Sequence, residues 1–342
     1  MAWELNMQSK HSIEKQTAHY VDCFTTVSDI TNRECKFLLE KPADVVLPNG
    51  FENDFVPSGA MFTSKRKKAR NKLLQVANRM LGTQLGDDTL ILATSGRYEF
   101  KNKGIDVYLE ALSRLNQVED LKRNVVAFVN VPGWVSVPRE DLKENMECKE
   151  GSGTPIAFPV ITHELHDERN DNVINTLIRL NLMNGPEDKV KVIFIPCYQD
   201  GNDGILNMTY YDLLLGNDLT VYPSYYEPWG YTPLESIAFK VPTITTDLAG
   251  FGLWANSVFG HYGSISDGVK VIHRTDYNTS DVADEIVATV LSFMNNTDKG
   301  ISHIRRKAGD LAKKALWSNF IVHYYKAYEV ALQNAARRME KM

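Results

Sequence analysis

Two apolar rhythms alternate along this chain. Short, nearly continuous apolar runs recur at Leu90–Thr94 (LILAT), Val125–Val131 (VVAFVNV), Val190–Pro196 (VKVIFIP), Leu219–Pro223 (LTVYP) and Val241–Thr246 (VPTITT). Such runs suit strands covered on both faces of a parallel sheet. Helical spacing fills the intervals at Gly104–Leu115, Asp171–Met183, Tyr210–Leu215 and Thr232–Phe239. Helices over Ser280–Met294 and from about Ser302 to the end, broken near Trp317, close the pattern. Ahead of it come a helix over residues 10–20, an extended run Asp22–Ser28, and a helix DITNRECKFLLE with Asp29 as N-cap. A short strand DVVLP (44–48) and a long helix from Ser64 to Leu81, stopped by Gly82, follow. The stretch 133–158 is rich in loop formers and receives no element.

Repeated strand–helix–strand units build a parallel sheet with helices on both faces. Ligands of such sheets bind outside the carboxyl ends of the strands. That rule selects residues 95–103, 196–204, 224–235 and 247–252, each just after an expected strand. The turn-rich stretch Gly82–Asp88 marks the expected boundary between two units.

Composition narrows the classes without naming one. The chain has 342 residues, 43% of them apolar and 24% charged, with a net charge of −5. It folds, and it has no electrostatic case for nucleic acid. No apolar run is long enough to span a membrane, and no secretory signal is visible in the first twenty residues. Cys23, Cys35, Cys148 and Cys197 lack paired spacing, which suits free thiols in a reducing cytoplasm.

The chemistry concentrates in SYYEPWGYTPLES (224–236). LTVYP ends a strand; Pro228 and Gly230 hold a loop; Thr232-Pro233-Leu234-Glu235 reads as a helix start with Thr232 as cap and Glu235 at N3. Glu227 then stands on the loop and Glu235 on the first helical turn. Free N–H groups and the positive dipole end at that start suit a phosphate. Trp229 and Tyr231 could wall a planar base or belong to the core. Glu235 could equally serve a capping box alone. Arg97 and Lys103 in SGRYEFKNKG supply cations after an earlier strand, with Lys101 between them.

The stretch YYEPWGYTPLE resembles the E-x7-E segment of the glycogen synthase family of the animal and fungal type, retaining glycosyltransferases of GT-B architecture. AHYVDCFTTVSDIT (18–31), VLPNGF (46–51), SGRYEFKNKGIDVYLEALSRLN (95–116), PVITHELHD (159–167) and TITTDLAGFG (243–252) are similar to further blocks of that family. The resemblance runs from about residue 10 to 320. It implies an α/β GT-B fold with a complete C-terminal Rossmann-like lobe and the end of an N-terminal one. Residues 1–85 would close the acceptor lobe, 86–318 form the donor lobe, and 319–342 cross back as a helix.

The resemblance also implies transfer of glucose from UDP-glucose to the 4-hydroxyl of an α-1,4-glucan, with retention and without metal or other cofactor. Arg97 and Lys103 would meet the diphosphate, Glu227 the transferred glucose and Glu235 the ribose hydroxyls. Thr232, Tyr231 and Gly230 match the phosphate-binding turn, and Trp229 a neighbour of the nucleotide. Lys15, in IEKQTAH (13–19), stands where the family often has arginine and would reach a phosphate. His11, His19 and His163 fall in family segments, while Cys197 lacks a partner for nucleophilic work. The family's glycine-rich KVGG loop has no counterpart, since no glycine precedes Gly50. The expectation is therefore a truncated chain and, as the rival reading, a nucleotide-sugar-binding module without turnover. A sucrose- or trehalose-forming transferase is a further rival, against which EPWGYTP speaks. Homo-oligomerisation is left open. The basic stretches SKRKKARNK (64–72) and ISHIRRKAGDLAKKALW read as solvated helix faces.

Overall fold

A computed structural model describes residues 2–148 and 153–341. The chain opens with α1 (Gln8–Tyr20), β1 (Thr25–Thr26), α2 (Asp29–Leu38) and β2 (Val45–Val46). β1 and β2 pair in parallel as a small sheet of their own. The cap of α2 is Ser28 rather than Asp29: the Ser28 hydroxyl accepts from Thr31 N–H, and Thr31 answers with its own side chain. α3 (Gly59–Leu81) begins five residues before the expected Ser64 and ends, as expected, at Gly82.

Then come β3 (Leu90–Ser95), α4 (Ile105–Asn116), β4 (Val125–Asn130), β5 (Val135–Pro138), α5 (Glu140–Glu147), β6 (His163–Leu165), α6 (Asn172–Arg179) and β7 (Val190–Ile195). The chain continues through α7 (Tyr210–Leu214), β8 (Leu219–Val221), α8 (Tyr231–Ala238), β9 (Thr243–Thr246), α9 (Gly250–Phe259) and β10 (Val269–Ile272). It closes with α10 (Thr279–Met294), α11 (Asp298–Lys314) and α12 (Trp317–Met339), so the break near Trp317 is real. β3, β4 and β7–β10 form one sheet in the order β10-β9-β8-β3-β4-β7, parallel throughout.

Period-two alternation divides the sheet's side chains between its two faces. Leu90, Leu92, Val125, Ala127, Val192 and Phe194 face α4, α6 and α10. Ile91, Ala93, Val126, Phe128 and Ile193 meet Leu73, Leu74, Val76, Ala77 and Met80 of α3. The expected boundary at residue 85 therefore separates α3 from the sheet it covers. By packing, α3 belongs with the sheet.

The basic face of α3 is likewise not solvated throughout. Arg66 and Arg70 reach the Asp218 carboxylate at 3.0 and 2.8 Å, and Arg305 of α11 reaches it at 3.0 Å. All four side chains are largely buried, and the guanidinium groups also meet the carbonyls of Leu215, Asn217, Asp87 and Thr89. Burial alone would raise the Asp218 carboxyl, but Arg305, Arg70 and Arg66 hold it below the usual carboxylate range. Asp218 also accepts from Ile91 N–H at 3.0 Å, which puts the cluster at the amino ends of β3 and β8. Arg306, by contrast, is exposed, as expected.

α12 runs back along the opening segment. Phe51 N donates to Ala315 O (2.9 Å), Asn334 Nδ2 to Asp22 O (2.8 Å), and Arg338 pairs with Asp22 (2.5 Å). Within the expected stripe FIVHYY only Phe320 is buried, while Val322 and Tyr325 are exposed. Among the described residues no helix is long and apolar enough to cross a membrane. All four cysteines are free.

Candidate active site

The loop after β3 is built as a cradle. Lys103 N donates to Glu99 O (2.8 Å), Ile105 N to Phe100 O (3.0 Å), and Tyr225 N to Asn102 O (2.8 Å), tying the loop to the segment after β8. Gly104 caps α4 with φ +67. A Cβ there would run into the Pro223 carbonyl and stand 2.8 Å from Arg274 Nη1, which itself donates to that carbonyl. Gly104→Ala is expected to cost at least about 2 kcal/mol, from the left-handed backbone plus the clash. An unfolding free energy from urea denaturation within about half a kcal/mol of the parent's would contradict this account of the cradle.

Arg97 stands at the mouth of the loop, mostly exposed and 3.0 Å from Glu99. It lines a cavity of about 300 Å³ together with Ser95, Gly96, Asn130, Tyr210 and Thr232. Lys103 turns inward beside Gly96, to which a Cβ would bring it within 4.0 Å. Its ammonium contacts the Glu227 carboxylate, and both side chains are mostly buried. Lys101 points away to Asp106 (2.7 Å).

Main-chain bonds fix Glu227. Its N–H donates to Leu248 O (3.1 Å), its carbonyl accepts from Gly250 N (3.0 Å), and Phe251 N donates to Trp229 O (2.6 Å). The loops after β8 and β9 are thus zipped together. From the other side, Tyr226 Oη donates to the Glu34 carboxylate of α2 (2.5 Å), and Ser28 packs on Gly250.

The helix after Glu227 starts earlier than the sequence suggests. Gly230 (φ +108) is the cap of α8, Tyr231 its first residue, and Thr232 its second. Thr232 is therefore not the N-cap, and Glu235 takes no part in a capping box. No side chain caps this end, and glycine at 230 leaves room for the Glu227 stem, 3.5 Å from where a Cβ would sit. Tyr231 is exposed. Trp229 is a core residue: it is 3% exposed and packs against Phe251, Trp254 and Phe320.

Glu235 accepts from Tyr211 Oη at 2.8 Å. Burial raises its carboxyl above the ordinary range, opposed by the hydroxyls of Tyr211 and Tyr210. Lys15 does not line the cavity; it pairs with Glu40 at 2.6 Å. His11 and His19 on the same helix reach Leu38 O and Leu39 O at 2.7 and 3.0 Å, closing the end of α2.

Several contributors escaped the sequence reading. Tyr98 Oη donates to Asp171 (2.8 Å) and accepts from Val173 N (2.9 Å), pinning the cation loop to α6. Burial raises the Asp171 carboxyl. Ser95, Tyr210 and Tyr222 share hydroxyl contacts of 3.2–3.3 Å beneath the cavity. His163, Cys197 and Asp203 place ligand-type atoms within 4.8 Å of one another, but these atoms serve a turn. His163 Nε2 meets Asp203 O (2.9 Å), and the Asp203 carboxylate accepts from the N–H groups of Ile205, Leu206 and Asn207. Burial pushes the Cys197 thiol up to about 12, which leaves it un-nucleophilic at neutral pH.

The chain is 29% identical over 395 residues to glycogen [starch] synthase isoform 2 of Saccharomyces cerevisiae, covering 97% of this chain and 56% of that protein. It is 27% identical to the liver glycogen [starch] synthase of Mus musculus, covering 98% and 54%. The chain thus spans about half the length of the curated relatives it matches. Among solved structures, sucrose-phosphate synthase from Thermosynechococcus elongatus superposes with TM-score 0.54 at 14% identity, covering 94% of this chain and 61% of that one. WaaG, a lipopolysaccharide glycosyltransferase, gives 0.52 at 14% identity, over 90% and 62%. These likenesses place the fold in the GT-B class. A family model described as glycogen synthase matches residues 2–154 and 142–340, and the chain belongs to the glycogen synthase family.

Proposed function

We propose that this chain carries the donor side of a retaining glucosyl transfer from UDP-glucose to the 4-hydroxyl of an α-1,4-glucan, in the cytoplasm. The observation that carries the reading is the Lys103–Glu227 contact beside a cavity lined by Arg97 and Thr232. Cations and a carboxylate meet there, at the carboxyl ends of a parallel sheet, where ligands of such sheets bind.

The bond that breaks joins glucose C1 to the β-phosphate oxygen, so negative charge grows on UDP. Arg97, Lys103 and the uncapped first turn of α8 would receive it. Glu227 would face the sugar, either stabilising positive character at C1 or holding hydroxyls. Glu235 would accept from the ribose, and Thr232 and Tyr231 would border the phosphates. In this reading Trp229 acts indirectly, by supporting Gly230 from the core, and Lys15 serves only if it leaves Glu40.

Mixing chain, UDP-glucose and glycogen and following released UDP tests the proposal. Release is expected, and with side-chain cations at the diphosphate it should persist at full rate in excess EDTA. Binding of UDP without release would reduce the chain to a nucleotide-sugar-binding module. Absence of both would remove the donor reading altogether.

A further inference from the structure

Glu235 is held by more than its helix. Tyr211 donates to its Oε1 at 2.8 Å. The Tyr211 ring has little freedom: it stacks on Phe239 at 5.4 Å with an 8° interplanar angle, and Phe55 leans on it at 4.9 Å. Tyr210, the preceding residue of α7, lines the cavity. Its hydroxyl accepts from Ser95 Oγ at 3.3 Å and, like that of Tyr211, opposes the effect of burial on the Glu235 carboxyl. Ser95 ends β3 and also touches the Tyr222 hydroxyl at 3.2 Å.

An ionised carboxylate only accepts, through about four lone-pair sites. The Tyr211 phenol fills part of that capacity from the protein side, with Tyr210 as its neighbour on α7. The remaining capacity suits a ligand that brings two adjacent donors, as a vicinal diol does. We propose that Tyr211, seconded by its neighbour Tyr210, is a positioning residue for Glu235, fixing its carboxylate as the acceptor for the ribose 2′- and 3′-hydroxyls of the bound nucleotide. This rests on the donor reading above.

The phenols also bias the proton. Burial favours protonated Glu235, and a protonated carboxyl is a poorer partner for a diol that must donate. The two hydroxyls oppose burial. Removing one raises the proton affinity of Glu235, so acid should weaken nucleotide binding at a higher pH than in the parent. A tyrosine that merely filled space would not move that limb.

The test is calorimetric titration with UDP and with 2′,3′-dideoxy-UDP, at pH 5.5 and pH 8. Tyr211→Phe keeps the stack and removes only the hydroxyl. A charged hydrogen bond of ordinary strength predicts about tenfold weaker UDP binding at pH 5.5 and about threefold at pH 8. The dideoxy nucleotide should bind parent and variant alike, and Tyr211→Phe combined with Glu235→Gln should bind UDP no more weakly than Glu235→Gln alone. A loss equal at both pH values, retained with the dideoxy nucleotide, or additive with Glu235→Gln overturns the inference. If the parent does not bind UDP, or Glu235→Gln binds it unchanged, the donor reading falls first and takes this assignment with it. Tyr210→Phe, expected to show the same pattern, decides the matter should Tyr211→Phe not fold.

Discussion

Glu227→Ala is expected to lower UDP release from UDP-glucose and glycogen by about 10²–10³-fold, the usual loss when one preorganised electrostatic group leaves a transition state. The fold should survive, because main-chain bonds to Leu248 and Gly250 hold the segment whatever side chain stands at 227. The partner matters as much as the residue. Lys103 shares its charge with Glu227; once freed, it can turn wholly to the diphosphate. Affinity for UDP should therefore hold or rise while turnover collapses, a fall in kcat without a rise in KM. Glu227→Gln separates the two roles left open. If charge opposite C1 is what counts, Gln should be nearly as poor as Ala; if hydroxyl positioning counts, Gln should recover much of the rate. Turnover of Glu227→Ala within about threefold of the parent would remove this carboxylate from the reaction.

Asp218→Ala should produce the largest loss of stability, about 3–5 kcal/mol, because it strands buried charge. Arg66, Arg70 and Arg305 would face one another across the space that Asp218 now neutralises. Burial already pushes Arg305 down, and Arg66 and Arg70 push it further. The pH dependence has a definite sign. Asp218 has a lower pKa folded than unfolded, so its stabilisation is present above the unfolded value and fades as pH falls through the folded one. Urea denaturation should thus show a parent-to-variant gap that is full at neutral pH and closes in acid. A gap below about 1 kcal/mol at pH 7 would mean that the carbonyls around the arginines suffice without the carboxylate.

Much of the six-stranded sheet was legible because its strands are covered on both faces. Five of the six sheet strands read as apolar runs, and each ends near a residue of the candidate site. β10 (VKVI) was missed, as was α9, whose sequence GFGLWANSVF opens with two glycines and hides its start. The start of α8 was placed at Thr232 because Thr-Pro is a strong start signal. The structure uses Gly230 instead, since the backbone there takes a positive φ that threonine would resist. Arg66, Arg70 and Arg305 read as solvated because local charge density carries no information about an aspartate nearly 150 residues away in the chain, as Asp218 is from Arg70. Tyr98 and Tyr211 carry no signal of their own in the sequence: what distinguishes them is the carboxylate each meets, which only tertiary structure supplies.

The zipped loops after β8 and β9 bear on how the proposed donor site could be re-engineered. Because Glu227 is aimed by peptide groups, libraries randomised at the exposed neighbours Tyr225 and Pro228 can explore new hexose donors without disturbing its aim. The same libraries at Gly230 or Gly250 should return almost nothing but the parent glycine.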